Sequence, residues 1–439
     1  MTIGQRIQDC FIIDLRAMAI FRIAIAFCII SDLISRFPYL ILFQSESGIL
    51  PSGSLGFTKY LPHHWNDSYS FQLALFAVTL VFALMFLVGW KTKFSTFISW
   101  FLLVSLHSKL WITLDGADDF LRAAMFWSIF LPLGEYWSID SRKKKEVKTQ
   151  YFSVAAVALI LLFVFYYFSA GVAKLNDAWL GGAALEVVLR QEFWLRPVGS
   201  FLSQFPTLLK ILTPLVVLFE IIGPFVLLIP QRFYKIRLLA IISFILFQIG
   251  LGICIELNMM PWIATAVLLV FLPTKIWSIS VQKENVIIDN NLFKKIVLIP
   301  LIVYVFGGFF IQKMNIDLPL KTKAYTLGLL STWNFYDSPP SEDYVYSINA
   351  QLDNGETIAL SSSDERLKNM FENYRFKYYL ETACYPNSIY SERCLSWIID
   401  SWEDENYSVK VVSAQLNCRA KDILIENGKS YEYILAEVN

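Results

Sequence analysis

The sequence predicts an all-α polytopic membrane bundle of about nine transmembrane helices, followed by a small α+β extracytoplasmic domain. Of the 439 residues, 56% are hydrophobic and 17% are charged, whereas soluble globular proteins have about 25% charged residues. From Lys313 onward, 12 Lys and Arg residues stand against 19 Asp and Glu residues, although the whole chain has no net charge. We therefore divide the chain into a transmembrane domain, residues 1–315, and an acidic domain, residues 316–439.

Long apolar runs define the predicted spans, at about 18–43, 71–90, 94–113, 118–136, 152–173, 207–229, 238–257, 261–280 and 296–312. Alternate connections are rich in Lys and Arg: "GWKTKF", "DSRKKKEVK", "PQRFYKIR" and "NNLFKK". Because basic connections stay in the cytoplasm, we expect a cytoplasmic N-terminus and a C-terminal domain outside. The chain is thus predicted to be a multi-pass protein of the cytoplasmic membrane, surrounded by lipid and without a cleavable signal peptide.

The acidic domain shows alternating strands and short helices. "YVYSINAQLDNGETIALSS" predicts a hairpin that turns at Asp353-Asn354-Gly355. "SSDERLKNMFENYRFKYYLETA" and "SERCLSWIIDSW" predict helices, and "NYSVKVVSAQLNCRA" and "SYEYILAEV" predict strands. We expect Trp333 and Phe335, just after the last span, to pack this domain against the outer mouth of the bundle.

Cysteine and histidine usage limits the chemistry. The domain has three cysteines, so one thiol stays free, while a disulfide between Cys384 and Cys394 is feasible outside the cell. With three histidines and no CxxC spacing, we predict no metal site. The sequence has no phosphate-binding loop and no basic patch for nucleic acid, and it leaves the oligomeric state open.

The first predicted span carries three charges, Arg22, Asp32 and Arg36. Asp32 and Arg36 are spaced i, i+4, which places them on one face of a helix as a neutralising ion pair. Because charged side chains inside membranes usually pair, we interpret these three residues as structural.

A second polar cluster lies in "SLHSKLWITLDGADDFLR". His107 closes one predicted helix, and Asp118, Asp119 and Arg122 open the next. One interpretation is an N-capping aspartate plus an Asp118–Arg122 ion pair that holds the helical hairpin. The other is a polar pocket that faces outward from the bundle.

Lys174 ends an apolar span and is followed by a segment, residues 174–200, that is neither a clean span nor a polar loop. A lysine at a span end can snorkel to the interface. If Trp179 and Trp194 cover it instead, burial without a carboxylate partner favours a neutral amine, which is a base or nucleophile. The small residues Ser169 to Gly171 would then leave room for a ligand.

The segment "FSAGVAKLNDAWLGGAALEVVLR" resembles vitamin K-dependent γ-glutamyl carboxylase, where a Phe-x-Ala-Gly-Val-x-Lys-Leu run contains the lysine proposed as the catalytic base. That lysine matches Lys174. Further stretches are similar to bacterial HTTM (horizontally transferred transmembrane domain) proteins, relatives of that carboxylase: "DLRAMAIFRIAIAFCIISDLISRF", "SESGILP", "SLHSKL", "LDGADDFLR" and "FWSIFLPLGEYWSID". The similarity covers most of residues 10–415.

The resemblance implies a lyase of γ-carboxylase type that modifies or matures a secreted peptide or protein. It also implies a quinone cofactor, reduced vitamin K or a menaquinol-like molecule, with Lys174 as base. The position of the carboxylase histidine corresponds to Ala117, and His107 lies on the preceding helix. The alternative is a non-catalytic maturation or export partner of a secreted peptide toxin, as in the sporulation-delaying system, with intramembrane charges that only hold helices together.

Overall fold

The computed structural model describes residues 8–50, 56–143, 149–277, 286–313, 316–331, 336–406, 409–425 and 428–438. Most of the membrane part is helical, and six helices of the described ranges are long and apolar enough to cross a membrane. The helices of this part, in chain order, are α1 (Leu15–Arg36), α2 (Leu40–Gln44), α3 (Tyr69–Val88), α4 (Thr92–Lys109), α5 (Gly116–Ser128), α6 (Val154–Ala173), α7 (Asp177–Leu180), α8 (Ala184–Val188), α9 (Pro197–Leu202), α10 (Pro206–Val226), α11 (Tyr234–Cys254), α12 (Met260–Leu268), α13 (Leu292–Lys313) and α14 (Lys321–Thr326).

Three of the nine predicted spans do not appear as long apolar helices. The predicted span 94–113 is α4, which has 18 residues but carries many hydroxyl groups and two charged or titratable residues in its last turn. The predicted span 118–136 is α5, which has 13 residues and begins with buried charges. The predicted span 261–280 is the apolar helix Met260–Phe271, which stops before Pro273. These three helices are shorter or more polar than the six long apolar helices, and most of their residues are buried.

A three-stranded sheet ties three chain segments together at one end of the bundle. Its strands are β1 (Ile13–Asp14), β2 (Gln150–Phe152) and β3 (Val286–Ile288), with β2 in the centre. Each strand directly precedes a long apolar helix, namely α1, α6 and α13. The starts of these three helices therefore lie at the same end, and their last turns lie at the other.

The C-terminal part is a four-stranded antiparallel sheet with three helices, in the order β5-β4-β6-β7. Its elements are β4 (Glu342–Leu352), β5 (Thr357–Ala359), α15 (Glu365–Glu372), α16 (Tyr374–Ala383), α17 (Ile389–Glu403), β6 (Val411–Asp422) and β7 (Ser430–Val438). The predicted hairpin is present, and Gly355 has a φ of +86°, the left-handed conformation that favours glycine in a tight turn. The predicted helices and strands are thus confirmed, except that one helix is broken at Asn373.

Cys384, Cys394 and Cys418 are free thiols in the structure. Cys384 and Cys394, the two residues of the feasible disulfide, are in hydrogen-bonding contact with each other. Both of these thiols are buried beneath the sheet, and the hydrogen bond with Cys384, together with burial, raises the pKa of Cys394 well above its usual range. The predicted packing of Trp333 and Phe335 lies outside the described residues.

Candidate functional site

Lys174 is the residue that immediately follows α6, at the end of the bundle opposite the three-stranded sheet. The close approach of α6 to α10 determines its surroundings. A Cβ atom on Gly171 would lie 2.7 Å from Ile221 and 3.0 Å from the Cβ of Glu220. Gly171 therefore allows close helix packing, and α10 fills the space at this position that the small residues were expected to leave for a ligand.

The amine of Lys174 is buried and has a carboxylate partner. Only 3% of the residue is exposed. Its Nζ lies 2.8 Å from Oε2 of Glu220 and 3.4 Å from the carbonyl oxygen of Ala170. The expected burial is thus present, whereas the expected lack of a carboxylate partner is wrong, because α10 places Glu220 directly opposite the amine.

Short helices α7, α8 and α9 form a lid over this end of the bundle, where the sequence indicated an interfacial segment. Trp179 of α7 is buried, and its ring centroid lies 5.2 Å from the Nζ of Lys174. The indole nitrogen of Trp179 donates a hydrogen bond to the carbonyl oxygen of Tyr336 at 2.9 Å. Trp179 therefore covers Lys174, and the beginning of the C-terminal domain holds it there.

Trp194 occupies a different place from the one expected. Its ring lies 5.0 Å from that of Tyr374, and its indole nitrogen donates to Glu381 at 3.1 Å. It belongs to a separate apolar cluster from Trp179. Trp194 thus joins the lid to α16 of the C-terminal domain and does not cover Lys174.

A second polar site lies where the last turns of α1 and α4 meet the first turn of α5. Arg36 binds Asp32 at 2.8 Å, which is the i, i+4 pair expected from the sequence, and it also binds Asp118 at 2.8 Å. His107 lies between these carboxylates, with its Nε2 3.6 Å from one oxygen of each. All four side chains are buried.

Arg375 of the C-terminal domain completes this second site. Its two terminal nitrogens bind both oxygens of Asp118, at 2.6 and 2.9 Å, and one binds Asp32 at 3.0 Å. Another bond, at 2.9 Å, goes to the carbonyl oxygen of Thr113. Burial opposes the charged guanidinium, but the carboxylates of Asp118 and Asp115 raise the pKa of Arg375 well above its usual range. The C-terminal domain is therefore docked by a buried, charge-assisted fork.

The start of α5 differs in detail from the prediction. Asp115 is the N-cap, and it forms a capping box with Asp118. Arg122 pairs with Asp119 instead of Asp118, and Asp119 also accepts a hydrogen bond from Ser331 at 3.1 Å. The capping and the ion pair at the start of α5 are therefore present, with Asp115 and Asp119 in the places expected for Asp118. The polar pocket that faces outward stays a prediction.

One atom each of Asp32, His107 and Asp118 lies within 4.8 Å of the others, a spacing that can suit a metal ion. Arg36 and Arg375, however, already bind these two carboxylates. A divalent cation here would face two guanidinium groups at short range. The arrangement therefore favours an internal ion network over a metal centre.

Arg22, the remaining predicted charge, lies towards the other end of α1 and does not form an ion pair in the described contacts. It donates to the carbonyl oxygens of Leu133, Tyr136 and Trp137, at 3.0, 3.3 and 2.6 Å. Arg22 therefore holds the turn that follows α5. This role agrees with its interpretation as a structural charge.

Two residues of these sites were missed by sequence reasoning. Glu220 had a readable signal, because it is the single charged residue of "TPLVVLFEIIGPFV" and an isolated acid inside a span usually has a partner or a function. Arg375 had none, because it lies on an ordinary amphipathic helix more than 200 residues from the carboxylates it binds.

The HTTM domain matches residues 12–277 of this chain, a range that contains Lys174, Glu220 and the carboxylates of the second site. The chain belongs to the HTTM family. HTTM domains occur in membrane proteins related to vitamin K-dependent carboxylase. No curated protein and no solved structure matches the chain significantly.

Proposed function

We propose that this HTTM protein is a membrane enzyme that modifies or matures a secreted peptide, with Lys174 as the base. The contact between Lys174 and Glu220 carries the proposal. A lysine and a glutamate buried together in apolar surroundings gain little stability from their contact, because desolvating two charges costs about as much as their attraction returns. Intramembrane ion pairs of this kind commonly mark proton pathways.

The pair can hold and move one proton without help from water. Transfer of the proton from the Lys174 amine to Glu220 at 2.8 Å leaves two neutral groups. In a medium of low dielectric, removing both charges offsets the lost Coulomb attraction. The neutral amine can then take a proton from a substrate, while Trp179 keeps bulk water away from it.

By their chemistry, the amine of Lys174 and the carboxylate of Glu220 suit a hydroxyl group of a hydroquinone such as reduced vitamin K or menaquinol, and these two residues would hold that hydroxyl. When bound, the quinol would supply the oxygen-dependent chemistry that produces a base strong enough to remove a carbon-bound proton. The chain itself supplies the first deprotonation and a dry site.

A purified sample in lipid nanodiscs tests the proposal with reduced vitamin K, a glutamate-rich peptide and radiolabelled bicarbonate as probes. We expect quinol consumption in the wild type and a loss of about 100-fold or more in Lys174→Arg and Lys174→Met, since a general base contributes about 10²–10⁴-fold. Arg keeps the charge but does not release its proton. Lys210→Arg, at an exposed lysine of α10, is the matched control. Normal turnover in Lys174→Arg would overturn the assignment of the base.

The second candidate is a non-catalytic maturation or export partner of a secreted peptide toxin. The filled space at Gly171 favours it, because the Lys174–Glu220 pair would then only join α6 to α10. This candidate predicts that Lys174→Arg supports peptide secretion as well as the wild type does. Normal secretion of a co-expressed peptide by Lys174→Arg, together with no quinol turnover in the wild type, would favour this second candidate.

We further propose that the chain crosses the cytoplasmic membrane nine times, with the N-terminus inside and the C-terminal domain outside. The alternating basic connections support this orientation. An impermeant thiol reagent applied to intact cells should label Ser430→Cys in β7. It should label Lys93→Cys, an exposed position in the first turn of α4, only after the membrane is opened. The reverse pattern would contradict the proposed orientation.

A further inference from the structure

A groove of about 760 Å³ lies between the lid and the C-terminal end of β6. It is bounded on one side by α8, α9 and the turn between them, and on the other by residues 421–425. Among the described residues, its charged lining consists of three acidic and three basic side chains, Glu186, Arg190, Glu192, Arg196, Lys421 and Asp422, and Ser200 and Ser203 add two hydroxyl groups. The groove is separate from Lys174 and from the Arg375 network, whose residues do not line it.

The charges of the groove are balanced, and they are only partly used by the protein. Arg190 pairs with Glu186 at 2.6 Å and donates to the carbonyl oxygen of Ile423 at 3.1 Å. Arg196 donates one hydrogen bond, at 2.6 Å, to the carbonyl oxygen of Gly252. A guanidinium group has five N–H donors, so Arg196 keeps donors for a ligand. Lys421 and Glu192 are exposed at the groove surface.

The groove opens where a membrane helix begins. Pro206, the first residue of α10, forms part of its wall. Large apolar side chains beside it are exposed: Phe201 by 58%, Phe205 by 44% and Leu208 by 43%. Exposed aromatic and aliphatic side chains at the end of a span are typical of the membrane interface. The charged groove therefore lies at the level of lipid headgroups, with an apolar surface next to it for acyl chains.

We propose that this groove binds the headgroup of a phospholipid of the phosphatidylethanolamine class, from the leaflet that faces the C-terminal domain. Arg196 and Lys421 bind the phosphate, and Glu192 and Asp422 bind the primary ammonium group. The balanced charges disfavour an anionic headgroup, because Arg196 and Lys421 would bind its phosphate while Glu192 and Asp422 would have no cationic partner. A quaternary choline lacks the N–H donors that carboxylates require. The proposal does not depend on the role of Lys174.

The test measures lipid retention by the full-length protein in detergent micelles, using native mass spectrometry. The probes are dioleoyl phosphatidylethanolamine, phosphatidylcholine and phosphatidylglycerol, offered at equal concentration. We expect one phosphatidylethanolamine to be retained. The double variant Arg196→Glu/Lys421→Glu should reduce its retention by roughly tenfold or more, which corresponds to about 1.4 kcal/mol or more. Lys368→Glu, an exposed lysine of α15 outside the groove, should leave it unchanged.

A second variant separates lost binding from lost folding. Glu192→Lys should shift the preference from phosphatidylethanolamine to phosphatidylglycerol, a gain of binding that misfolding does not produce. Equal retention of the three lipids by the wild type would overturn the proposal. Displacement of the lipid by a soluble zwitterionic peptide would also overturn it, because the groove would then be a peptide site.

Discussion

Replacement of Arg375 by methionine tests how the C-terminal domain is held to the membrane bundle. Methionine keeps the apolar stem of the side chain and removes its charge and four hydrogen bonds, to Thr113, to Asp32 and to both oxygens of Asp118. Arg36 would then be the one remaining cation bound to the two carboxylates in the described contacts. Removal of one partner of a buried ion pair lowers the free energy of unfolding by about 3–5 kcal/mol, and we expect Arg375→Met to lower it by that amount.

Thermal and denaturant unfolding in detergent, followed by tryptophan fluorescence, measures this loss. The matched control is Arg366→Met, because the pair between Arg366 and Glu405 has exposed side chains, 45% and 53%, and should contribute about 0–1 kcal/mol. Addition of Asp118→Asn to Arg375→Met should cost less than the sum of the two single variants, since it also removes the unpaired charge. Additive losses, or an Arg375→Met variant as stable as the control, would refute the buried network.

Two further variants test local parts of the account. Burial raises the pKa of Asp115 to about 6, so the stability that its protonated form contributes is present below its ordinary pKa of about 4 and is lost as the pH rises through 6. The free energy of unfolding of Asp115→Asn, measured by urea titration, should therefore rise relative to that of the wild type as the pH increases from about 4 to about 7. A difference between the two proteins that does not change with pH would contradict this. Gly171→Ala should cost about 1–3 kcal/mol because its Cβ would collide with Ile221. Gly307→Ala, with open space around it, should be neutral or stabilising in the same melting assay.

Much of the fold is readable from the sequence because apolar run length and alternation are local signals. The long apolar helices, the Gly355 hairpin and the strands of the C-terminal domain were predicted in this way. The helices α4, α5 and α12 were harder. Helices inside a bundle contact protein more than lipid, so they tolerate polar residues and shorter lengths. Their bounds and their place in the bundle therefore cannot be predicted from hydrophobicity alone.

The sites were predictable only where partners are close in sequence. The Asp32–Arg36 pair follows from i, i+4 spacing, and the burial of Lys174 from the aromatic segment after it. Glu220 and Arg375 bind partners that lie 46 and more than 200 residues away, respectively. Such contacts depend on which helix faces which, and one sequence does not contain that information. For the same reason, the sequence placed Trp194 over Lys174, although it packs against α16.

Exchange of the two charges at the proposed catalytic site tests the central claim most directly. The double variant Lys174→Glu/Glu220→Lys keeps a buried ion pair between α6 and α10 but moves the amine to a side chain of the other helix. Quinol consumption and melting temperature would be measured in nanodiscs for this variant, for both single variants and for the wild type. If Lys174 is the base, both single variants should have lower melting temperatures than the wild type. The double variant should recover the melting temperature but should show no quinol turnover. Turnover restored together with stability would contradict the account, because the pair would then need only to hold the helices together.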